Sequence, residues 1–175
     1  RNSDIVFSET VSKSQYEKLK SEDTVVVEES NNSVLYMLKA FDLKENSIIF
    51  TNTYLINDLF RSLKNSKFRN IKIISTQTDH SIEYRDFNKK PSCVSKWFST
   101  NVVFQHKDLV PIPLGLANEY SPKNIQKKDY EKLQVSDIKI NELYVNFENN
   151  TNYFHRNKIK KNLLKKENTF IEQEK

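Results

Sequence analysis

The stretch WFSTNVVFQHKDLVPIPLGLANEYSP, residues 97–122, is the part of the chain around which the rest is organised. It contains the only tryptophan (Trp97), the only glycine (Gly115) and three of the four prolines. Pro111 and Pro113 lack a backbone N–H, so the segment around them can form only an edge strand or a loop with one free side. Gly115 permits a positive φ angle or the close approach of a ligand. We therefore predict a strand that ends in a turn at the edge of a cleft.

Short β-rich runs alternate with helical patterns in the preceding part of the chain. The predicted strands are residues 4–8, 24–28, 47–51 and 71–75, and the predicted helices are residues 12–20, 33–41 and 54–64. The first of these helices has Ser12 as a candidate N-cap. Residues 24–28 (TVVVE) form a continuous β-branched run, which is typical of a strand buried on both faces. The alternation predicts an α/β fold with a mostly parallel sheet and helices on its faces.

The pattern changes after the fourth strand, where residues 76–81 (TQTDHS) are all small or polar. In open α/β sheets, ligands bind outside the carboxyl ends of the strands, so Asp79 and His80 occupy a place suited to chemistry. A carboxylate or an imidazole can accept a proton from a hydroxyl group at neutral pH. The alternative is a simple turn in which Asp79 caps the backbone.

A second polar corner follows the predicted strand at residues 142–147 (ELYVNF). Residues 149–152 would lie between that strand and a helix. A helix N-terminus offers unpaired N–H groups and partial positive charge, and Arg156 adds a fixed cation one turn into the helix. This pattern fits a phosphate site, but Asn and Thr also cap helices without binding any ligand.

Composition narrows the classes of protein. The net charge of +5 indicates anionic partners in general. Six basic residues fall close together without an acid among them: Arg156, Lys158, Lys160, Lys161, Lys165 and Lys166. A solvated helix face explains such a run, and phosphate or an anionic membrane surface is the alternative. The single Cys93 excludes an internal disulfide and indicates a reducing compartment.

Several chemistries do not fit the residues. One glycine cannot supply a G-x-G-x-x-G or Walker loop, which argues against a dinucleotide or P-loop site. His80, His106 and His155 are far apart in the sequence, which argues against a zinc enzyme. No run approaches the roughly 18 apolar residues of a membrane span.

Four motifs follow one another along the chain: TDHS at 78–81, KWFSTNV at 96–102, IPLGLAN at 112–118 and LYVNFENNTNYFHR at 143–156. In this order they resemble the N-S-D-like turn, the WF-x-x-N segment, the IPIGLEN-like segment and the YVNFN-x-NTN-x-x-x-R segment of bacterial exostosin-like glycosyltransferases. The resemblance covers about residues 71–164. Residues 1–70 match only in their alternation of strands and helices.

The resemblance implies a GT-B architecture, in which two Rossmann-like domains face each other across a cleft. Residues 1–140 would form the acceptor-side domain, a Rossmann-like, mostly parallel sheet with helices on both faces. Residues 141–175 would form the first strand and helix of the donor-side domain. The PPGNG-x-D-x-HR-x-WE-like donor segment of the family does not occur before Lys175. The resemblance therefore implies a truncated second domain.

The resemblance also assigns roles by position. Asp79 and His80 would lie near the acceptor hydroxyl, one of them as the catalytic base. Asn101, Gly115 and Asn118 would form the substrate-binding wall of the cleft.

The donor diphosphate would face Thr151, Asn152 and Arg156. Ala117 stands where the family often has glutamate, so an acidic acceptor contact is lost or moved, and Asn118 and Glu119 could partly replace it.

The resulting hypothesis is a metal-independent glycosyltransferase that moves a sugar from a nucleotide-sugar donor to a glycan or glycolipid acceptor during cell-surface polysaccharide synthesis. The family type and the lack of a D-x-D motif imply that neither a metal nor a cofactor is needed. We expect a cytoplasmic protein, peripheral to the inner membrane, that touches an anionic membrane surface and does not bind nucleic acid. Two alternatives stay open: a non-catalytic Rossmann-like module that binds an anionic surface or nucleic acid, and an inactive truncated remnant.

Overall fold

The computed structural model describes residues 3–114, 131, 143–145, 153–163, 165 and 169–171. The chain divides into two units, Arg1–Glu131 and Lys132–Lys175. The strands of the first unit are β1 (Ile5–Val6), β2 (Ser8–Ser12), β3 (Thr24–Glu29), β4 (Ser33–Leu38), β5 (Ile48–Asn52), β6 (Ile71–Thr76), β7 (Val94–Ser99) and β8 (Leu109–Pro111). Its helices are α1 (Lys13–Leu19), α2 (Ile56–Leu63), which follows a 3-10 turn at Thr53–Leu55, and α3 (Tyr84–Phe87).

Five strands form a parallel sheet in the order β1-β5-β6-β7-β8. The predicted α/β fold with a mostly parallel sheet is therefore confirmed. β8 lies at the edge of this sheet, which suits the missing N–H of Pro111. One row of side chains crosses the sheet and is buried in all five strands: Ile5, Ile49, Ile73, Trp97 and Leu109.

The helices α2 and α3 cover the face of the sheet on which this row lies. Trp97 contacts both of them, since its ring meets Phe60 edge-on at 5.3 Å and stacks on Phe87 at 6.4 Å. From β5 to β8 the order in the sheet follows the order in the sequence, and right-handed crossovers then place successive helices on the same face. We expected helices on both faces. Among the described residues, the helices that pack on this sheet lie on one face only.

A three-stranded antiparallel sheet, ordered β2-β4-β3, stands between β1 and β5 in the sequence. The predicted helix at residues 33–41 is wrong, because residues Ser33–Leu38 form its central strand. Val34, Leu35 and Tyr36 are consecutive and all buried, and such a short apolar run cannot be assigned by periodicity alone.

The predicted strand at residues 24–28 is confirmed as β3, but its predicted burial on both faces is wrong. Val26 and Val27 are 42% and 44% exposed, so β3 is an outer antiparallel strand and not one buried on both faces. The predicted cap of α1 is confirmed: Ser12 Oγ accepts from Gln15 N at 3.2 Å, and Gln15 Oε1 accepts from Ser12 N at 3.2 Å.

The described residues of the second unit are β9 (Leu143–Val145), α4 (Tyr153–Leu163) and β10 (Thr169–Ile171). β9 and β10 pair in parallel. The predicted strand and the helix that follows it are both present. In the described part of the chain, no helix combines the length and the apolar character needed to span a bilayer.

Candidate functional site at the carboxyl edge of the sheet

A buried layer of hydroxyl groups separates the apolar core from the carboxyl edge of the parallel sheet. Thr51, Ser75 and Ser99 lie side by side in the strand register and are fully buried. Ser75 Oγ lies 2.7 Å from Ser99 Oγ and accepts a hydrogen bond from Trp97 Nε1 at 2.8 Å. Thr51 is satisfied separately, since its Oγ1 lies 2.8 Å from Ser8 Oγ. Because each of these buried hydroxyl groups has a partner, the strands can end in polar residues directly above a dry core.

A residue with a positive φ angle follows each of the strands β6 and β7, one residue after β6 and two residues after β7. Gln77 has φ 71° and Asn101 has φ 55°. Residues other than glycine rarely adopt such angles unless the surrounding structure fixes them. Gln77 Oε1 accepts from Thr10 N at 2.9 Å and its Nε2 donates to Thr10 O at 3.1 Å, while Asn101 Nδ2 donates to Thr78 O at 3.0 Å. The side chains of both residues thus hold their own backbone turns in place.

The turn after β6 presents Asp79 to solvent. Thr78 Oγ1 accepts from His80 N at 3.2 Å, so the capping role considered for Asp79 is taken by Thr78. Asp79 is exposed, and its carboxylate has no hydrogen-bond or ion-pair partner among the described residues. A carboxylate in this state can accept a proton from a substrate hydroxyl without first breaking another contact.

His80 lies opposite a buried carboxylate. Its Nε2 is 3.6 Å from Asp86 Oδ2, and Asp86 is only 7% exposed. The same Oδ2 atom accepts from Glu83 N at 3.1 Å, which fixes the carboxylate at the start of α3. The carboxyl group of Asp86 therefore lies at a fixed position beside the His80 imidazole.

A small polar cavity of about 120 Å³ lies on the other side of Gln77, where the antiparallel sheet meets the carboxyl edge. Asn52 helps to form its wall, because Asn52 Nδ2 donates to Thr10 Oγ1 at 3.1 Å and Asn52 Oδ1 accepts from Tyr54 N at 3.0 Å. The residues that line it are Thr10, Glu28, Ser30, Ser33, Leu35, Asn52, Tyr54 and Gln77. Their polar atoms are largely prearranged by bonds within the wall.

A larger and more open groove of about 580 Å³ lies at the opposite edge of the sheet, where Asp4 and Ser47 precede β1 and β5. Ligands of open α/β sheets bind at the carboxyl ends of the strands, so size alone does not make this groove the site. Among the residues that the structure describes, no three side chains of His, Cys, Asp or Glu are grouped so that they could bind a metal ion.

The structure joins three of the residues singled out from the sequence. Asp79, His80 and Asn101 lie together, because Asn101 bonds to the residue before Asp79. Arg156 lies in α4, on its half-buried side. The four remaining candidates fall outside the described residues: Gly115, Asn118, Thr151 and Asn152.

The sequence analysis missed the residues of the small cavity. Asn52 directly follows the predicted strand at residues 47–51, and Gln77 is the second residue after the one at 71–75, so the rule that pointed to Asp79 could have found them. Thr10 gave no such signal. Glu28 ends the predicted strand at residues 24–28, but its place beside the parallel sheet depends on how the antiparallel sheet docks. Comparison with protein-family models and with curated proteins found no match.

Proposed function

We propose that the protein acts as a glycosyltransferase of the exostosin-like GT-B type and transfers a sugar from a nucleotide-sugar donor to a hydroxyl of a glycan or glycolipid acceptor. The observation that carries this proposal is the Asn101 Nδ2 to Thr78 O hydrogen bond of 3.0 Å. It joins the TDHS and KWFSTNV motifs, two segments far apart in the sequence that the resemblance assigns to the acceptor side.

The chemistry requires a base near the acceptor hydroxyl. The acceptor oxygen forms a bond to the anomeric carbon, the bond from that carbon to the donor diphosphate breaks, and the hydroxyl proton passes to the base. Asp79 supports this role as an exposed carboxylate, and His80 supports it as an imidazole opposite Asp86. Negative charge grows on the leaving diphosphate, and we assign Arg156 and the start of α4 to its stabilisation.

Nucleotide release in the presence of acceptor tests the proposal. The protein is incubated with a panel of uridine, guanosine and cytidine nucleotide-sugars, and with oligosaccharide or lipid-linked acceptors. We expect acceptor-dependent release from one class of donor. If no donor in the panel gives nucleotide release that depends on an acceptor, the proposed function is overturned.

Matched substitutions test the assigned roles in the same assay. We expect Asp79→Asn or His80→Ala to lower kcat by about 10²-fold or more, the usual contribution of a general base. Asp58→Asn is the control for a surface carboxylate, since Asp58 pairs with Arg61 on α2, and it should leave kcat unchanged. Wild-type rates in both variants would place the base elsewhere.

The donor side is tested by Arg156→Ala. We expect this variant to lose more than about tenfold in turnover, because a cation on the leaving diphosphate acts mainly in the transition state. Lys158→Ala is its control on the same helix. Equal turnover in Arg156→Ala and the wild type would remove the assigned role.

A second candidate function, a module that binds an anionic surface, is supported by the exposed face of α4. Phe154 is 85% exposed, and Lys158 and Lys161 follow it in the helix at intervals of four and three residues, both exposed. Such spacing keeps the three side chains on one side of the helix axis. Each lysine near an anionic bilayer contributes about 1 kcal/mol.

Co-sedimentation with vesicles of phosphatidylcholine and phosphatidylserine tests this second candidate. Binding that needs the anionic lipid and is lost in a Lys158→Glu, Lys161→Glu double variant would support it. Binding to an arbitrary DNA duplex with a steep salt dependence would instead indicate a nucleic-acid partner. Binding to neither would exclude the second candidate.

A further inference from the structure

We infer that the cavity beside Gln77 is a saccharide subsite that takes a sugar with a free, protonated amine. The role of this subsite in catalysis rests on the proposed function: if the protein is a glycosyltransferase, the subsite holds part of the acceptor. The binding itself is argued from the cavity alone.

The size of the cavity fits one edge of a sugar ring. Its volume of about 120 Å³ equals the space of about four water molecules in the liquid. This is well below the several hundred Å³ typical of sites for larger organic ligands. The part of a ligand that matches this size is therefore one edge of a single pyranose unit at the end of a longer glycan, with the hydroxyl or amino groups on that edge.

The wall of the cavity is prearranged for hydroxyl groups. Gln77 is fixed by two hydrogen bonds to the backbone of Thr10, and Asn52 is fixed by Thr10 Oγ1 and Tyr54 N. Each amide NH₂ group has two N–H donors, and these bonds use one of the two. Asn52 is only 1% exposed and serves to fix the wall, while the half-buried Gln77 amide keeps one N–H donor for a ligand at a fixed position.

Apolar surface accompanies these polar groups. Leu35 contributes an apolar patch to the lining, and the ring of Tyr54 is 64% exposed at the cavity. Sugars carry hydroxyl groups at the edge of the ring and C–H groups on its faces. An exposed aromatic ring next to fixed amides complements both kinds of surface.

Charge selects among sugars. Glu28 is the only charged side chain that lines the cavity, and it is exposed without an ion-pair partner among the described residues. The neighbouring Glu29, in contrast, is paired with Lys13 at 2.6 Å. An unpaired carboxylate repels uronic acids and phosphorylated sugars, and it forms a charge-assisted hydrogen bond with an ammonium group.

The test is a titration of the ¹⁵N-labelled full chain, followed by two-dimensional NMR in slightly acidic buffer. The probes are the methyl glycosides of glucosamine, N-acetylglucosamine, glucose and glucuronic acid. We expect glucosamine to shift the amide signals of Thr10, Ser33 and Gln77 and to bind about tenfold more tightly than glucose, the gain from a charge-assisted over a neutral hydrogen bond. Glucuronic acid should not bind.

Matched variants separate the roles of charge and ring. Glu28→Gln should abolish the preference for glucosamine, while Glu29→Gln should keep it. Tyr54→Ala should lower the affinity for every sugar that binds. Tyr84→Ala is the control and should leave these affinities unchanged, because Tyr84 is similarly exposed, at 65%, but does not line the cavity. The spectra also report whether each variant is folded.

The outcomes distinguish this inference from the proposed function. If no probe shifts the cavity signals, or if Glu28→Gln keeps the preference, the subsite inference is overturned, even where nucleotide release proves transfer to some acceptor. If glucosamine binds as expected but no donor is consumed in the presence of acceptor, the subsite stands and the proposed transferase function fails.

Discussion

Gln77 connects the two sheets of the first unit, and its replacement by alanine tests how the cavity is held together. The change removes the Oε1 acceptor and the Nε2 donor that bond to Thr10 N and Thr10 O at 2.9 and 3.1 Å. Each net hydrogen bond contributes about 0.5–1.5 kcal/mol, which gives about 1–3 kcal/mol for the pair. We expect Gln77→Ala to lower the free energy of unfolding by about 2 kcal/mol, the middle of that range.

Glycine at the same position separates the hydrogen bonds from the backbone angle. Gln77 has φ 71°, where a residue with a Cβ atom is disfavoured relative to glycine by about 1 kcal/mol. Gln77→Gly loses the same two bonds but relieves this strain, so we expect a loss of about 1 kcal/mol. The melting temperature should fall by about 8 °C for alanine and about 4 °C for glycine, at about 4 °C per kcal/mol for a unit of this size.

Urea unfolding followed by tryptophan fluorescence measures these differences. Trp97 is the only tryptophan and is fully buried, so its signal reports the first unit alone. Gln105→Ala is the control, because Gln105 is exposed and its side chain has no partner among the described residues. If Gln77→Ala lies within about 0.5 kcal/mol of the wild type, as neutral surface changes do, or if glycine is as destabilising as alanine, this account of Gln77 is refuted.

Three further predictions concern the core and the edge of the sheet. Trp97→Phe should lower the free energy of unfolding by about 2 kcal/mol, because it opens space in the core and removes the hydrogen bond to Ser75. Chemical unfolding followed by circular dichroism measures this change, and an unchanged stability would contradict the prediction. The hydrogen bond from the Lys96 ammonium holds the pKa of Asp108 below its ordinary value of 3.8. The Asp108 carboxylate therefore stabilises the folded state above that pH, and this stabilisation is lost as the pH falls through the lowered pKa. The free energy of unfolding of Asp108→Asn, measured as a function of pH, should lack this part of the acid dependence. Burial raises the pKa of the Cys93 thiol, so a thiol reagent at pH 8 should label native protein about 100-fold more slowly than protein unfolded in urea, and comparable rates would show that the thiol is accessible.

The sequence predicted the parallel sheet well because its strands carry local signals. β5 and β6 are β-branched or aromatic runs between polar links, and the amphipathic pattern of α2 is unmistakable over two turns. The prolines restricted β8 to an edge before any pairing was known. Ser12 marked the start of α1 in the same way, because a helix cap depends only on residues within three positions of it. The reciprocal bond from Gln15 was found only in the structure.

The antiparallel sheet was misjudged for a physical reason. Its central strand β4 carries Val34 and Leu35 as neighbours and Leu38 three residues later, a spacing that a helix and a doubly covered strand share. Only the pairing with β2 and β3 on its two sides decides between the two, and the pattern within β4 does not contain that information. Residues 24–28 gave the opposite error, because β-branched residues favour strands whether or not the strand is buried.

The sequence by itself determined that Asp79 and His80 follow a strand of a parallel sheet and therefore lie at its carboxyl edge, since parallel strands bring their carboxyl ends together. Only the resemblance associated Asn101 with them, and the Asn101 to Thr78 hydrogen bond brings it there. The tertiary structure alone decided what surrounds them. It placed Asp86 opposite His80, and it closed a cavity by docking Thr10 and Glu28 against Gln77. Local patterns cannot encode such contacts, because they form between surfaces whose approach depends on the packing of the whole unit.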